Sequence, residues 1–224
     1  MGRNKRKIAF IICVNDEEYY KECLLYLQQL KTPDGFTVEY VPVTGIKSMA
    51  QGYNIGISRT DAKYKVYMHQ DVFIINPNFL NDVLTVFKQN WRIGMIGVLG
   101  SPILPVTGVP WHGNRVGNLY QFDKDNVDFN GYEYSSKDGM TDVQSIDGLL
   151  MVTKEDVPWR EDLFDGWDFY DASQCFEFIR RGYHVVVPNQ KKPWVAHDET
   201  SGLNQWSYDK YRHIFLDEYA DMIK

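Results

Sequence analysis

The chain has 224 residues, of which 44% are hydrophobic, 24% are charged and 15% are aromatic, and its formal net charge is −6. This length suits one α/β domain that buries enough surface to be stable without disulfide bonds or bound metals. The aromatic content excludes a disordered protein. The negative charge argues against broad nucleic-acid binding, which depends on neutralising phosphates.

The first hundred residues alternate apolar strands with helices. Lys7–Val14 is a continuous apolar run typical of a strand buried on both faces, and Asn15 or Asp16 can cap a helix that ends near Leu30. The same reasoning predicts strands over Phe36–Val43, Tyr64–Met68 and Ile93–Leu99, and helices that begin near Ser48 and Asn76-Pro77. This order predicts an α/β fold with a mostly parallel, doubly wound central sheet flanked by helices.

The second half begins with a segment of different character. Residues 101–142 are rich in Gly, Pro, Asn, Asp and Tyr without a sustained period, which predicts an irregular insert or lid. Periodicity then returns and predicts a strand over Val143–Thr153, a helix over Asp168–Arg181, a strand over Tyr183–Pro188 and an amphipathic helix from Gln205. Because no linker divides the chain, we expect a single domain over residues 1–224.

We expect neither a membrane-spanning helix nor a signal peptide. The longest apolar run, Ile8–Val14, is far shorter than the ~20 residues of a spanning helix, and it stops at Asn15 without a cleavage site. The basic residues within 3–7 admit peripheral contact with an anionic membrane, although a terminal charge cluster more often only solubilises a chain. The three cysteines, without Cys-x-x-Cys spacing, indicate reduced core thiols and a cytoplasmic location.

Sheets of this kind bind ligands at the carboxyl ends of their strands, which points to residues 15–17, 43–47 and 69–71 after three of the predicted strands. Asn15-Asp16-Glu17 suits hydrogen bonds to a ribose or base, and no Gly-rich phosphate-binding motif is present. In His69-Gln70-Asp71, Asp71 is a suitable ligand for Mg²⁺ or Mn²⁺, and His69 can add a nitrogen ligand or contact the ribose. The simpler alternative is that Asp71 only forms a turn.

Two later segments bring further acids and aromatic rings. His197-Asp198 can complete a metal shell, or His197 can be satisfied by the backbone. Residues 165–171 combine three aspartates with three aromatic rings just before a helix, where an acid usually caps the helix. A carboxylate among rings also suits a general base, and the rings suit a sugar platform. Position alone leaves these alternatives open.

The motifs together resemble bacterial family-2-like glycosyltransferases of the GT-A fold, from Lys7 to about Gly202. The segments that carry the resemblance, in the family's order, are Asn15-Asp16-Glu17, Gln51-Gly52-Tyr53-Asn54, Tyr67-Met68-His69-Gln70-Asp71 and Asp147-Gly148-Leu149-Leu150-Met151. The family's catalytic aspartate precedes a Gly-Tyr pair by eleven residues, as Asp171 precedes Gly182-Tyr183. Residues 194–202 resemble the late segment whose histidine completes the metal shell.

The resemblance implies a role for each matching residue. Asp171 would be the catalytic base, and Asp71, His197 and His69 would bind Mn²⁺ or Mg²⁺. The nucleotide sugar would contact Asn15, Glu17, Asn54, His69 and Gln70, and the acceptor or donor-sugar pocket would contain Asp147, Gly148, Trp167 and Tyr170. Residues 7–100 would then form the nucleotide-binding half, and residues 143–224 the acceptor and catalytic half.

The implied function is a metal-dependent, inverting hexosyl transfer in polysaccharide synthesis. The donor would be a UDP-sugar, and the acceptor a carbohydrate or lipid-linked glycan at the cytoplasmic face of a membrane. Two residues depart from the family: His69 replaces the first acid of the Asp-x-Asp motif, and Thr44-Gly45 replaces an aspartate that reads uracil, so UDP rests on family frequency alone.

Three alternatives stay open at this point. A nucleotidyltransferase would need a basic, phosphate-gripping loop after the first strand, where residues 15–18 are acidic. A non-catalytic nucleotide-sugar binding module is suggested by His69 in place of an acid, although Asp171 and His197 are intact. An interaction scaffold would explain the aromatic content but not the ordered acids.

Overall fold

The computed structural model describes residues 2–123, 126–131, 139–198, 202 and 204–223. The strands are β1 (Asn4–Cys13), β2 (Thr37–Val43), β3 (Ala62–His69), β4 (Val72–Ile74), β5 (Ile93–Gly97), β6 (Leu99–Ser101), β7 (Val116–Asp123), β8 (Asn126–Gly131), β9 (Met140–Asp142), β10 (Ser145–Ile146), β11 (Leu150–Thr153), β12 (His184–Pro188) and β13 (Val195–Asp198). The helices are α1 (Glu17–Leu27), α2 (Met49–Ser58), α3 (Phe79–Gln89), α4 (Tyr170–Arg180) and α5 (Gln205–Glu218), with a 3₁₀ turn at Pro110–His112.

The central sheet has seven strands in the order β2-β1-β3-β11-β5-β12-β9. β1 pairs in parallel with β2 and β3, and β12 pairs in parallel with β5. β11 is antiparallel to both β3 and β5, and β9 is antiparallel to β12. Five of the seven strands therefore run in one direction, which confirms the predicted mostly parallel sheet.

The strand predicted over Val143–Thr153 is interrupted, and this break positions the site. A turn at residues 147–149 separates β10 from β11, and the Asp147 carboxylate accepts the Leu149 N–H to hold that turn. The His69 N–H donates to the Leu149 carbonyl, so the turn lies directly beside the carboxyl end of β3. An Asx turn of this kind gives the backbone a local alternative to the ladder.

The start of α3 differs from the prediction. Asn76-Pro77 was predicted to open the helix, but the Asn76 side chain instead accepts the Asn78 N–H in a turn, and the helix begins at Phe79. The predicted caps of α1 and α2 are confirmed: Asp16 accepts the N–H groups of residues 18 and 19, and Ser48 accepts that of residue 51. Side-chain caps of this type satisfy N–H groups that the helix leaves unpaired.

Residues 101–142 were predicted to be irregular, and this prediction is wrong for much of the segment. β7 and β8 form an antiparallel pair, and β7 also joins a second sheet of order β10-β6-β7-β13-β4. The backbone of β7 packs closely against that of Val98, since a Cβ on Gly117 would lie 2.1 Å from the Val98 carbonyl oxygen. Tertiary packing rather than apolar periodicity therefore determines where β7 forms. Residues 124–125 and 132–138 lie outside the described residues.

Helices cover both faces of the central sheet. Alternate residues of β1 point to opposite faces: Ile11 belongs to the cluster that includes residues of α2, α4 and α5, and Phe10 and Ile12 belong to the cluster with α1 and α3. The apolar side of α5 packs on α4, where the rings of Phe176 and Phe215 lie 5.0 Å apart. Such packing confirms the doubly wound arrangement.

The basic start of the chain belongs to the fold. Residues 4–7 lie within β1 rather than in a free terminal tail. Arg3 pairs with Glu155 at 2.5 Å and Lys7 pairs with Asp61 at 2.6 Å, which leaves fewer cations for an anionic surface. Across the described part of the chain, no helix combines the length and apolar character needed to cross a membrane.

Candidate active site

A cavity of about 300 Å³ opens beside the carboxyl end of β3. Residues from seven separate stretches of the chain line it, and the predicted ones among them are His69, Asp71, Asp147, Gly148, Trp167, Tyr170, Asp171 and His197. The sheet therefore brings together the predicted metal ligands, the predicted base and all four predicted pocket residues.

Two imidazoles and a carboxylate meet on one side of this cavity. Ligand atoms of His69, Asp71 and His197 all lie within 4.8 Å of one another. Asp71 Oδ1 is 3.7 Å from His197 Nε2 and 4.0 Å from His69 Nδ1. The pairing of β4 with β13 holds this group, because the Asp198 N–H donates to the Asp71 carbonyl one residue from His197.

This donor set fits a divalent cation. Asp71 Oδ1 is buried and has no hydrogen-bond partner among the described residues, an arrangement that is costly unless something else satisfies it. Burial lowers the pKa of His69, although the Asp71 carboxylate acts in the opposite direction. A neutral imidazole is the form that binds a metal ion, so the state of His69 suits a ligand.

Asp171 also lines the cavity and lies at the start of α4. Its carboxylate accepts the N–H of Gly148 at 2.9 Å and that of Ala172 at 2.7 Å. Burial, and after it the charge of the nearby Asp147 carboxylate, together raise the pKa of Asp171 to about 7. A carboxylate that titrates near neutral pH is suited to take and release a proton.

The local backbone aims these side chains into the cavity. Phe169 is the N-cap of α4 and has φ 61°, the only positive φ of a non-glycine residue in the described ranges. Its ring packs against Tyr208 at 4.8 Å and Phe215 at 5.4 Å, which holds the strained conformation. Strain of this kind costs about 1–3 kcal/mol and persists where packing over-determines it, often at functional sites.

The predicted nucleotide-binding residues are only partly brought together. Gln70 Oε1 accepts the N–H groups of Asn15 and Asp16, both at 3.0 Å, and its amide also donates to the Asn15 side chain. Gln70 thus ties the carboxyl ends of β1 and β3 together at the surface. Glu17 is exposed in the first turn of α1. Asn15, Glu17 and Gln70 are not among the residues that line the cavity.

Asn54 is bound into the structure away from the cavity. Its side chain accepts the Trp159 N–H at 2.9 Å and donates to the Trp159 carbonyl at 3.0 Å and to Glu161 at 3.1 Å. These bonds join α2 to the segment after β11 and give Asn54 a structural role. Its predicted contact with a donor nucleotide stays a prediction.

Sequence reasoning missed several residues that line the cavity, among them Trp111, Arg115 and Tyr208. Trp111 is 48% exposed and its ring lies 5.1 Å from that of Tyr208. Trp111 and Arg115 fall in the segment predicted to be irregular. The only sequence signal for a site there is a large aromatic residue, Trp111, among glycines and prolines. Trp167, which is 53% exposed, was predicted.

A family model described as a glycosyltransferase-like family matches residues 9–219. No curated protein sequence matches the chain significantly. Among solved structures, residues 1–349 of S. aureus TarS in complex with UDP are 12% identical, with a TM-score of 0.53, over 96% of this chain and 72% of that one.

Two further solved structures are similar. One is a Drosophila β1,4-galactosyltransferase 7 variant in complex with manganese, UDP-Gal and xylobiose (15% identity, TM-score 0.54, 90% of this chain and 78% of that one). The other is the mannosyltransferase PcManGT from Pyrobaculum calidifontis in complex with GDP-Man and Mn²⁺ (12% identity, TM-score 0.56, 90% of this chain and 59% of that one). These similarities show the GT-A fold.

Proposed function

Because the chain belongs to the glycosyltransferase-like family, whose model spans residues 9–219, we propose that it moves a sugar from a nucleotide-diphosphate sugar to an acceptor hydroxyl. The observation that carries this proposal is the meeting of Asp171 with Asp71, His69 and His197 around one cavity. The donor we propose is a UDP-sugar, supported by similar folds bound to UDP and UDP-Gal, with GDP-sugars as the competing donors.

Asp171 would act as the general base. As the acceptor oxygen attacks the anomeric carbon, the bond from that carbon to the diphosphate oxygen breaks, and the hydroxyl proton passes to the Asp171 carboxylate. Attack from the side opposite the leaving group would invert the anomeric configuration. The Gly148 and Ala172 N–H groups hold the carboxylate in position, and positioned base catalysis contributes about 10²–10⁴-fold in rate.

His69, Asp71 and His197 would hold the divalent cation that this fold implies. Asp71 Oδ1 supports this assignment because it has no hydrogen-bond partner among the described residues. The two imidazole nitrogens favour Mn²⁺ over Mg²⁺, which prefers oxygen ligands. When bound, the ion supplies Lewis-acid neutralisation of charge on the departing diphosphate. Two similar structures contain manganese.

Exposed aromatic rings support a carbohydrate acceptor, free or linked to a lipid. Trp111 and Trp167 both line the cavity and present large apolar faces, the surface on which sugar rings stack. Trp111 lies in the segment between β6 and β7, which is part of the insert or lid predicted over residues 101–142. This segment would therefore border the acceptor. The proposal includes polysaccharide synthesis at the inner face of a membrane. Only its cytoplasmic location has support here, because Cys13, Cys23 and Cys175 are free thiols.

The alternatives are less well supported. A nucleotidyltransferase would need cations after β1, where Asp16, Glu17 and Glu18 are exposed acids. A non-catalytic binding module would not need the raised pKa of Asp171.

The proposal is tested by assaying UDP release from UDP-sugars with Mn²⁺ and a panel of glycan acceptors. Asp171→Asn should lower acceptor-dependent turnover by about 10²–10⁴-fold because the proton loses its base, while UDP binding stays unchanged. Asp165→Asn is the matched control, since that carboxylate bonds Tyr211 and does not line the cavity. Turnover by Asp171→Asn at the rate of the control would contradict the proposed mechanism.

A further inference from the structure

Tyr170 contacts the metal-ligand group through one ring nitrogen of His69. The Tyr170 hydroxyl oxygen lies 2.6 Å from His69 Nε2, on the side of the ring away from Asp71. His69 Nδ1 is the nitrogen that faces the Asp71 carboxylate, at 4.0 Å. Only Nδ1 is therefore placed to bind an ion shared with Asp71 and His197.

This geometry makes the tautomer of His69 decisive. In a neutral imidazole one nitrogen carries the proton and the other carries the lone pair that can bind a metal. If the Tyr170 hydroxyl donated to Nε2, the proton of the neutral ring would occupy Nδ1 and block the ligand position. If Nε2–H donates to the Tyr170 oxygen, Nδ1 is free.

We propose that Tyr170 is a positioning residue that accepts a hydrogen bond from His69 Nε2–H and so presents His69 Nδ1 to the metal ion. This inference rests on the proposed metal-dependent function and extends it to a residue that the sequence analysis assigned only to the sugar pocket. A hydrogen bond to the second nitrogen of a ligating imidazole fixes both the tautomer and the ring orientation.

The residues around Tyr170 hold its ring and hydroxyl in place beside His69. It is 6% exposed, and its ring packs near those of Tyr53 at 6.0 Å and Trp159 at 6.2 Å. A Cβ on Gly148 would lie 2.2 Å from the Tyr170 hydroxyl oxygen, so only glycine at 148 lets the hydroxyl reach His69.

The same contacts connect the metal ligands to the base. Gly148 lies against the Tyr170 hydroxyl and donates its N–H to Asp171, the residue after Tyr170. The adjacent residues Tyr170 and Asp171 of α4 thus both contact Gly148: the first also orients His69, and the second is the proposed base. Displacement of Tyr170 would disturb both groups at once.

The test is Mn²⁺ affinity, measured without donor or acceptor by the electron paramagnetic resonance signal of free Mn²⁺. Tyr170→Phe removes the hydroxyl and keeps the ring, and should weaken Mn²⁺ binding about 10–100-fold. Tyr53→Phe is the matched control, because its buried hydroxyl has no partner among the described residues. It should bind Mn²⁺ as the wild type does.

A second measurement reports the tautomer directly. Long-range ¹H–¹⁵N correlation spectra of the metal-free wild type should show the proton of His69 on Nε2, and Tyr170→Phe should show a mixture of tautomers. Unchanged Mn²⁺ affinity in Tyr170→Phe, or the proton on Nδ1 in the wild type, would overturn the positioning role alone. If the wild type and Asp71→Asn both fail to bind Mn²⁺, the proposed metal-dependent function fails, and the positioning role with it.

Discussion

At the scale of single residues, two carboxylates in the cavity have different tasks. Asp171 is held by two backbone N–H groups and faces the cavity, whereas the exposed Asp147 caps its own turn by accepting the Leu149 N–H. The Asp147 charge raises the pKa of Asp171, in addition to the effect of burial. Asp147 therefore adjusts the pKa of Asp171, and such pairs of acids are common in sites that transfer protons.

The pH dependence of transfer follows from this pair. Because the base must be ionised, kcat/KM should rise with pH up to about 7, the pKa of Asp171, and fall about tenfold per unit below it. Asp147→Asn removes a neighbouring negative charge, which lowers the Asp171 pKa and moves the midpoint to lower pH. Profiles of kcat/KM against pH for both proteins test this. An unmoved midpoint would show that Asp147 does not act on the base.

At the scale of elements, the turn between β10 and β11 is the part that sequence periodicity did not predict. Residues 143–153 look like one strand because most are apolar, and the break comes from a local hydrogen bond of Asp147 that competes with the ladder. The caps of α1 and α2, in contrast, were predictable because they depend on adjacent residues. β7 was not predictable from the sequence, because its position depends on contact with the backbone of Val98, which is distant in the chain.

Gly148 tests whether this turn supports the site. Gly148→Ala would place a methyl group 2.2 Å from the Tyr170 hydroxyl oxygen and displace it, at a cost of about 1–3 kcal/mol in stability. We expect weaker Mn²⁺ binding and slower transfer. Gly202→Ala is the matched control because its Cβ would meet no atom of the described residues within 4 Å. Isothermal titration with Mn²⁺ measures the effect, and equal affinity in the two variants would contradict this role of the turn.

At the scale of the whole molecule, topology assembles the site from residues far apart in the chain. Periodicity predicted the mostly parallel sheet, and position beside predicted elements marked His69, Asp71, Asp171 and His197 as candidates, whose roles were then implied by the family resemblance. It could not predict their distances, since these depend on β11 inserted antiparallel beside β3 and on β13 paired with β4. Such long-range pairings leave no local pattern.

Donor binding tests the account most directly, because it requires the assembled site and no knowledge of the acceptor. Thermal unfolding with UDP and Mn²⁺ at about 100 times the dissociation constant should show about 2.7 kcal/mol of stabilisation, a rise of about 5–10 °C. The rise should require UDP and Mn²⁺ together. It should be lost in Asp71→Asn, which replaces the carboxylate whose Oδ1 has no hydrogen-bond partner among the described residues. If neither UDP nor GDP raises the melting temperature with Mn²⁺, the cavity is not a nucleotide-sugar site and the account is wrong.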